Sequence, residues 1–308
     1  MTAEDLTSLV RKHVNLVKEK AGCFNLLLSG GVDSGFLCAL EKPDNIFTVR
    51  LPYGPMHDEF DSVLKIVRHL GYEDKFHVID LDEKEFDDVM EKAVKAIGRP
   101  IPHYNIFPVY VMFRYIRDMG ITDVVCGDGP DESMSGYTRH LIMNYLYNVK
   151  GIEAFDKYHP IIDRILPDPA EMYAKIIGMD LVRVKSIMSR YSLIDGMCAV
   201  DMKLMRPDMD DMTDNISKNL GVNLYRPYQY PKVDSEMFKL PPELKIYNIE
   251  FGKALLRRAA SKYLPREVSW RKQKIGGPLV PVNQIKGWDL EPFDKSMYLK
   301  YQEDILNG

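Results

Sequence analysis

Four apolar runs of strand length, each preceded or followed by a segment of helical spacing, constrain the first half of this chain more than any other feature. "FNLLLS" (24–29), "NIFTVRL" (45–51), "KFHVIDL" (75–81) and "ITDVVCG" (121–127) are short and bounded by polar or glycine residues, the pattern of strands buried in a sheet. Residues 33–41, 57–70, 83–97 and 106–119 place apolar side chains at three- and four-residue intervals, which predicts helices. Strands alternating with helices are joined by right-handed crossovers into a parallel sheet. An α/β fold follows, with an amphipathic helix over residues 3–20 ahead of the first strand. From about residue 150 strand signals fade, and methionine-rich, charged segments at helical spacing dominate through 263. The expected division is therefore an α/β core over 1–150 and a mostly helical region over 151–308 packed on the active edge of the sheet.

Composition narrows the function classes. The chain has 308 residues, 45% hydrophobic and 28% charged, and a net charge of -4, so no general attraction to nucleic acid or anionic lipid is expected. Cys23, Cys38, Cys126 and Cys198 form no CxxC pair, which argues against a zinc site, an iron-sulfur cluster or a disulfide framework and fits a reducing cytoplasm. The first residues lack the apolar core of a signal peptide, and no run approaches the roughly 20 apolar residues that span a bilayer.

The first strand ends in "LLLSGGVDS" (26–34). A parallel strand that turns sharply into a helix aims several backbone N–H groups and the positive end of the helix at one point, which suits a phosphate. Gly30 and Gly31 allow close approach, and Ser29 and Ser34 add hydroxyl donors. Asp33 is out of place beside polyphosphate unless a divalent cation lies between them, which implies magnesium. The segment lacks the GK[ST] ending of a Walker A loop and the GxGxxG of a dinucleotide fold. A Gly-Gly turn with a Ser/Asp helix cap describes the same local geometry without any ligand.

"SGGVDS" after a strand resembles the pyrophosphate-binding loop of the ATP pyrophosphatase superfamily, whose members split ATP between its α and β phosphates. The resemblance implies an adenine nucleotide α-hydrolase-like core with ATP and Mg2+ as cofactors. Within that superfamily, "CGDGPDESMSGY" (126–137) resembles the "SGEGSDExFGGY" segment of asparagine synthetases, and "WRKQKIGGPL" (270–279) their "RxKQGFxxP" element. These matches imply nucleotide contacts at Leu28, Ser29, Gly30, Gly31, Asp33, Ser34, Val49, Cys126 and Gly127, with magnesium held by Asp33 and Asp131. They also imply an acceptor role for Asp128, one methylene shorter than the family's Glu, and a phosphate-contacting role for Lys272. Read alone, the first of these segments is also a carboxylate-rich solvated turn, and "RKQK" a solvated basic run.

The resemblance further implies a reaction in which a carboxylate is adenylated with release of pyrophosphate and then passed to an amine with release of AMP. Glutamine-dependent members begin with a cysteine exposed after the initiator methionine, whereas Thr2 stands here. The expected nitrogen source is free ammonia, a separate glutaminase subunit or an amine on another substrate. "DNISKNLGVNLYRPYQY" (214–230) resembles "DRxSMAxxxExRxPFLD", with Asn215, Asn223, Tyr225 and Tyr230 in place of four ionic side chains. If that region shapes the acceptor pocket, aspartate itself is not the expected substrate. Two other readings remain: an RNA-modifying enzyme with the same loop, and a nucleotide-binding subunit without catalysis.

Overall fold

The computed structural model describes residues 1–50, 60–149, 166–272 and 295–308. Helix α1 (Ala3–Ala21) leads into β1 (Asn25–Leu27), α2 (Val32–Leu40), β2 (Asn45–Arg50), α3 (Phe60–Leu70), β3 (Phe76–Asp80), α4 (Phe86–Ile97), α5 (Ile106–Asp118) and β4 (Asp123–Val125). The chain then forms α6 (Pro130–Ser133) and α7 (Thr138–Asn144). The expected alternation of strand and helix is present throughout this half. All four expected strands pair in parallel, and a fifth, β5 (Asn223–Tyr225), joins them in the order β3-β2-β1-β4-β5.

Two compact units are each built from stretches that are not contiguous in the chain. One comprises residues 14–127, 208–226 and 275–308, the other residues 1–13, 128–207 and 227–274. The reason is topological. After the helical segments that follow α7, the chain returns as the helix Arg206–Asn219 and strand β5, which completes the sheet, and the last helix, Lys295–Asn307, packs against α4.

In the sheet unit, apolar side chains of α4, α5 and the returning helix meet one face of the sheet. Val89, Met90, Ala93, Phe107, Phe113, Ile116, Met212 and Ile216 are fully or almost fully buried there with Phe47 and Val124. The amino edge of the sheet carries a run of side-chain hydrogen bonds instead. His77 Nε2 donates to Asn45 Oδ1 at 3.0 Å, Asn45 Nδ2 to Asn25 Oδ1 at 2.9 Å, and Asn25 Nδ2 to the Asp123 carbonyl at 3.0 Å. Asn223 Nδ2 closes the run on Asp123 Oδ1 at 3.0 Å. The helical unit has its own core, in which Leu141, Met143, Tyr173, Val184, Met197 and Val200 pack together. It also contains a two-stranded antiparallel ribbon, Ile246–Asn248 with Phe251–Gly252. Among the described residues no helix is long and apolar enough to cross a membrane.

The C-terminal helix is fastened by one amide. Gln302, fully buried, accepts from the Ile101 N–H at 2.8 Å and donates to the Ile101 carbonyl at 2.9 Å. Gln302→Ala should destabilise the protein by about 2–4 kcal/mol, because each buried backbone group left unpaired costs about 1–3 kcal/mol. Urea unfolding of the wild type and the variant measures this directly.

Candidate functional site

Sequence decides the first loop locally. Leu28 continues β1 by donating its N–H to the Phe47 carbonyl at 2.8 Å, and the chain then turns through Gly30 at φ 75°, a conformation that costs glycine nothing. Gly31 caps α2 without a side-chain cap bond, and the positive end of this nine-residue helix lies at the loop. Ser29 Oγ lies 3.1 Å from Ser34 Oγ, which also accepts the Ser29 N–H at 3.2 Å. Ser29 is exposed, Ser34 is buried and Asp33 is half-buried in the first turn of α2. Val49, on β2 beside this loop, is half-buried.

The second loop of the sheet unit leaves β4, the strand next to β1. Cys126 extends β4 by donating to the Tyr225 carbonyl at 3.0 Å. At Gly127 the chain presses so closely on α2 that an added Cβ would lie 2.7 Å from the Ser34 nitrogen and 2.9 Å from its Cα. Only glycine fits. Leu28, Ser29, Gly30, Gly31, Asp33, Ser34, Val49, Cys126 and Gly127 thus share the carboxyl edge of one sheet, around the junction of β1 and β4. That junction is where the strand order reverses, from β1-β2-β3 on one side to β4-β5 on the other. Open α/β sheets bind ligands at such a switch point.

The remaining expected site residues belong to the helical unit. Asp128 is exposed, and Asp131 is half-buried in α6. Lys253 Nζ donates to Asp131 Oδ1 at 2.8 Å, with only 4% of the lysine side chain exposed. No motif marked Lys253. The following run "ALLRRAA" reads as an ordinary helix, and the residue's φ of 54° has no sequence signal. Next to α6, Tyr137 donates to Glu132 Oε1, and the Arg139 guanidinium lies 3.7 Å from the centre of the Tyr137 ring.

Arg139 belongs to a buried charge cluster. Its guanidinium donates to Asp201 Oδ2 at 2.5 Å, Tyr173 donates to Asp201 Oδ1 at 2.6 Å, and His140 Nε2 lies 2.9 Å from Asp201 Oδ2. Burial opposes the Asp201 charge, yet His140, Arg139 and Tyr173 together hold its carboxyl below the usual value. Burial lowers the His140 pKa, against the pull of Asp201, and raises the hydroxyl of Tyr173 far above its ordinary value.

Lys272 is exposed, with its ammonium 3.3 Å from Glu250 Oε1. It lines an open cleft of about 940 Å3 with Tyr247, Phe251, Arg258, Arg266 and Trp270. The rest of the "KQKIGGPL" stretch, Lys274 included, lies outside the described residues.

The structure changes the meaning of two charge replacements. Asn223 and Tyr225 both donate to Asp123 Oδ1 at 3.0 Å. Asp123 is the first residue of β4, so these side chains serve the amino edge of the sheet, opposite the glycine loops. Asn215 donates to Asp211 Oδ1 at 2.9 Å, and the adjacent Arg226 pairs with Asp214 at 2.7 Å and Asp210 at 3.3 Å. Tyr230 precedes the helix Pro231–Phe238 and lies 5.4 Å from the His13 ring.

Magnesium and ATP can be tested against these residues. Asp33 and Asp131 offer hard carboxylate oxygens, the donor type that magnesium combines with substrate phosphates rather than with an all-protein cage. Asp131 already stands against a cation, the Lys253 ammonium. For a nucleotide, the exposed Ser29, the glycine-led start of α2 and the tight passage at Gly127 give close access to main chain and hydroxyls with little side-chain bulk. Both groups fit.

The sequence model of the asparagine synthase family matches residues 5–298. Glutamine-hydrolyzing asparagine synthetase B of Escherichia coli (strain K12) is 24% identical over 276 residues, covering 82% of this chain and 40% of that protein. The putative glutamine-hydrolyzing asparagine synthetase 1 of Methanocaldococcus jannaschii is 22% identical over 266 residues, covering 81% of this chain and 44% of that protein. The chain spans less than half the length of the curated relatives it matches.

The buried cluster sets a pH dependence. The folded His140 ring resists the proton that the unfolded chain takes up below about pH 6.5, so its contribution is complete above that pH and declines as pH falls. Between about pH 7.5 and about pH 5.5, the wild-type urea midpoint should therefore fall further than that of His140→Gln.

Proposed function

Because this chain belongs to the asparagine synthase family, we propose that it is an ATP-dependent synthetase that joins a carboxylate substrate to ammonia or an amine. The observation that carries this reading is the close passage of Gly127 over Ser34 at the switch point of the sheet. It brings the two glycine-containing loops together with little side-chain bulk, which suits close approach of a nucleotide.

In the proposed reaction, the N–H groups at the start of α2 and the hydroxyls of Ser29 and Ser34 hold the phosphates of ATP. Leu28, Val49, Cys126 and Gly127 flank the adenosine. Asp33 and Asp131 would hold magnesium, which when bound neutralises polyphosphate charge and orients it. An oxygen of the substrate carboxylate attacks the α-phosphorus, and the bond to the bridging oxygen breaks to release pyrophosphate. The amine then attacks the acyl carbon, gives up a proton and displaces AMP. Asp128 is the proposed acceptor of that proton. Lys272 turns from Glu250 toward the departing pyrophosphate, where a mobile ammonium stabilises growing negative charge.

A pyrophosphate-release screen across carboxylic acids, with and without ammonium, tests the reading and names the substrate. The products should be AMP and pyrophosphate; ADP and phosphate would overturn it. In Gly127→Ala the new Cβ must displace the Ser34 main chain, and a misplacement of that size should lower turnover by about 100-fold. Its melting temperature should fall as well, because the atoms displaced are main chain. Lys272→Ala should lower turnover by about 100-fold with little change in ATP affinity, since its charge acts on the transition state.

A further inference from the structure

The Lys253–Asp131 pair is built with unusual care for a contact no motif announces. Gly252 runs so close to the preceding loop that a Cβ there would lie 1.9 Å from the Ser135 carbonyl oxygen. At Gly136 a Cβ would meet Asp131 Oδ1 at 2.0 Å and Lys253 Cε at 2.7 Å. Gly136 therefore clears the space in which carboxylate and ammonium meet, and Gly252 lets the chain ahead of Lys253 pass the Ser135 carbonyl. The main chain is tied as well, with the Lys253 N–H donating to the Met134 carbonyl at 3.0 Å. Lys253 itself is held at φ 54° and ψ 39°, a left-handed conformation that costs a non-glycine residue energy. The fold thus keeps a strained, buried lysine whose ammonium reaches Asp131.

We propose that Lys253 is a positioning residue that fixes Asp131 Oδ1 and keeps the carboxylate from taking up a free divalent cation, so that the cation is accepted only together with the anionic phosphates of the nucleotide. This rests on the reading of Asp131 as a magnesium carboxylate. The physical reason is charge balance. An ammonium 2.8 Å from the carboxylate oxygen cancels its charge and repels a second cation, and both effects are stronger out of water. Phosphate oxygens arriving with the nucleotide restore the missing negative charge. Neutral replacement of the lysine leaves Asp131 as an ordinary carboxylate open to a bare ion.

The test is nucleotide-free Mn2+ binding to the full chain, followed by calorimetry and by electron paramagnetic resonance. Lys253→Gln, which keeps a hydrogen-bond donor but loses the charge, should bind Mn2+ about ten-fold more tightly than the wild type, the direction that removing a neighbouring like charge requires. Lys253→Met provides the same readout without the donor. Lys253→Arg should return to weak binding, and adding Asp131→Asn to Lys253→Gln should abolish the gain. Melting curves establish which variants are folded. Equal or weaker Mn2+ binding by folded Lys253→Gln would overturn the inference, as would a gain that survives Asp131→Asn. Failure of the synthetase reading is separate, because it would show as wild-type protein forming ADP and phosphate, whatever the Mn2+ comparison gives.

Discussion

The contact on which the sheet unit depends is one where no side chain fits. Strands β1 and β4 are neighbours in space but far apart in the chain, and each runs into a loop at the carboxyl edge. Gly127 lets the second loop settle against the Ser34 main chain. The seryl hydroxyl then remains in reach of Ser29, and the start of α2 stays uncapped by its own side chains. Close packing and strand order are here one constraint seen at two scales: the strand order reverses at this junction, and the two loops that leave it meet through main chain rather than side chain.

The two edges of the sheet are handled by different chemistry. Strands β1, β4 and β5 have three residues each, so their main-chain ladders are short. At the amino edge His77, Asn45, Asn25, Asp123 and Asn223 carry hydrogen bonds sideways from strand to strand. Partly buried polar groups must be paired, and pairing them across the sheet fixes register where the ladders are shortest. At the carboxyl edge Arg50 and Asp80 pair across β2 and β3, while β1 and β4 run into glycine and serine loops.

The helical unit organises itself around buried cations. Lys245, fully buried, donates to Asp195 Oδ1 and the Phe238 carbonyl, each at 2.6 Å. Arg139 meets Asp201 and Tyr173, and Lys253 meets Asp131. A desolvated charge is costly unless its partners are fixed, so such pairs tie together segments that hydrophobic packing alone would leave free to slide. The Arg139 group also bears on the segment that follows α6, through the stacked Tyr137 ring and its bond to Glu132.

The sequence by itself determined the parallel α/β core, four of its strands, and the glycine-serine loop that follows the first, because each of these rests on local periodicity and local backbone freedom. It marked Gly127 as glycine but not why. Strand β5 escaped because "NLY" is too short for a period to register, and only the neighbouring β4 makes it a strand. The return of the chain to the sheet was not legible either, because it leaves no composition shift. Asn223 and Tyr225 read as lost charges until the register of β5 turned them toward Asp123, at the edge away from the loops. Lys253 was invisible for the same reason that it matters. Its burial, its left-handed backbone and its partner all come from segments distant in the chain, and a pairing between distant residues exists only once the tertiary structure has closed around it.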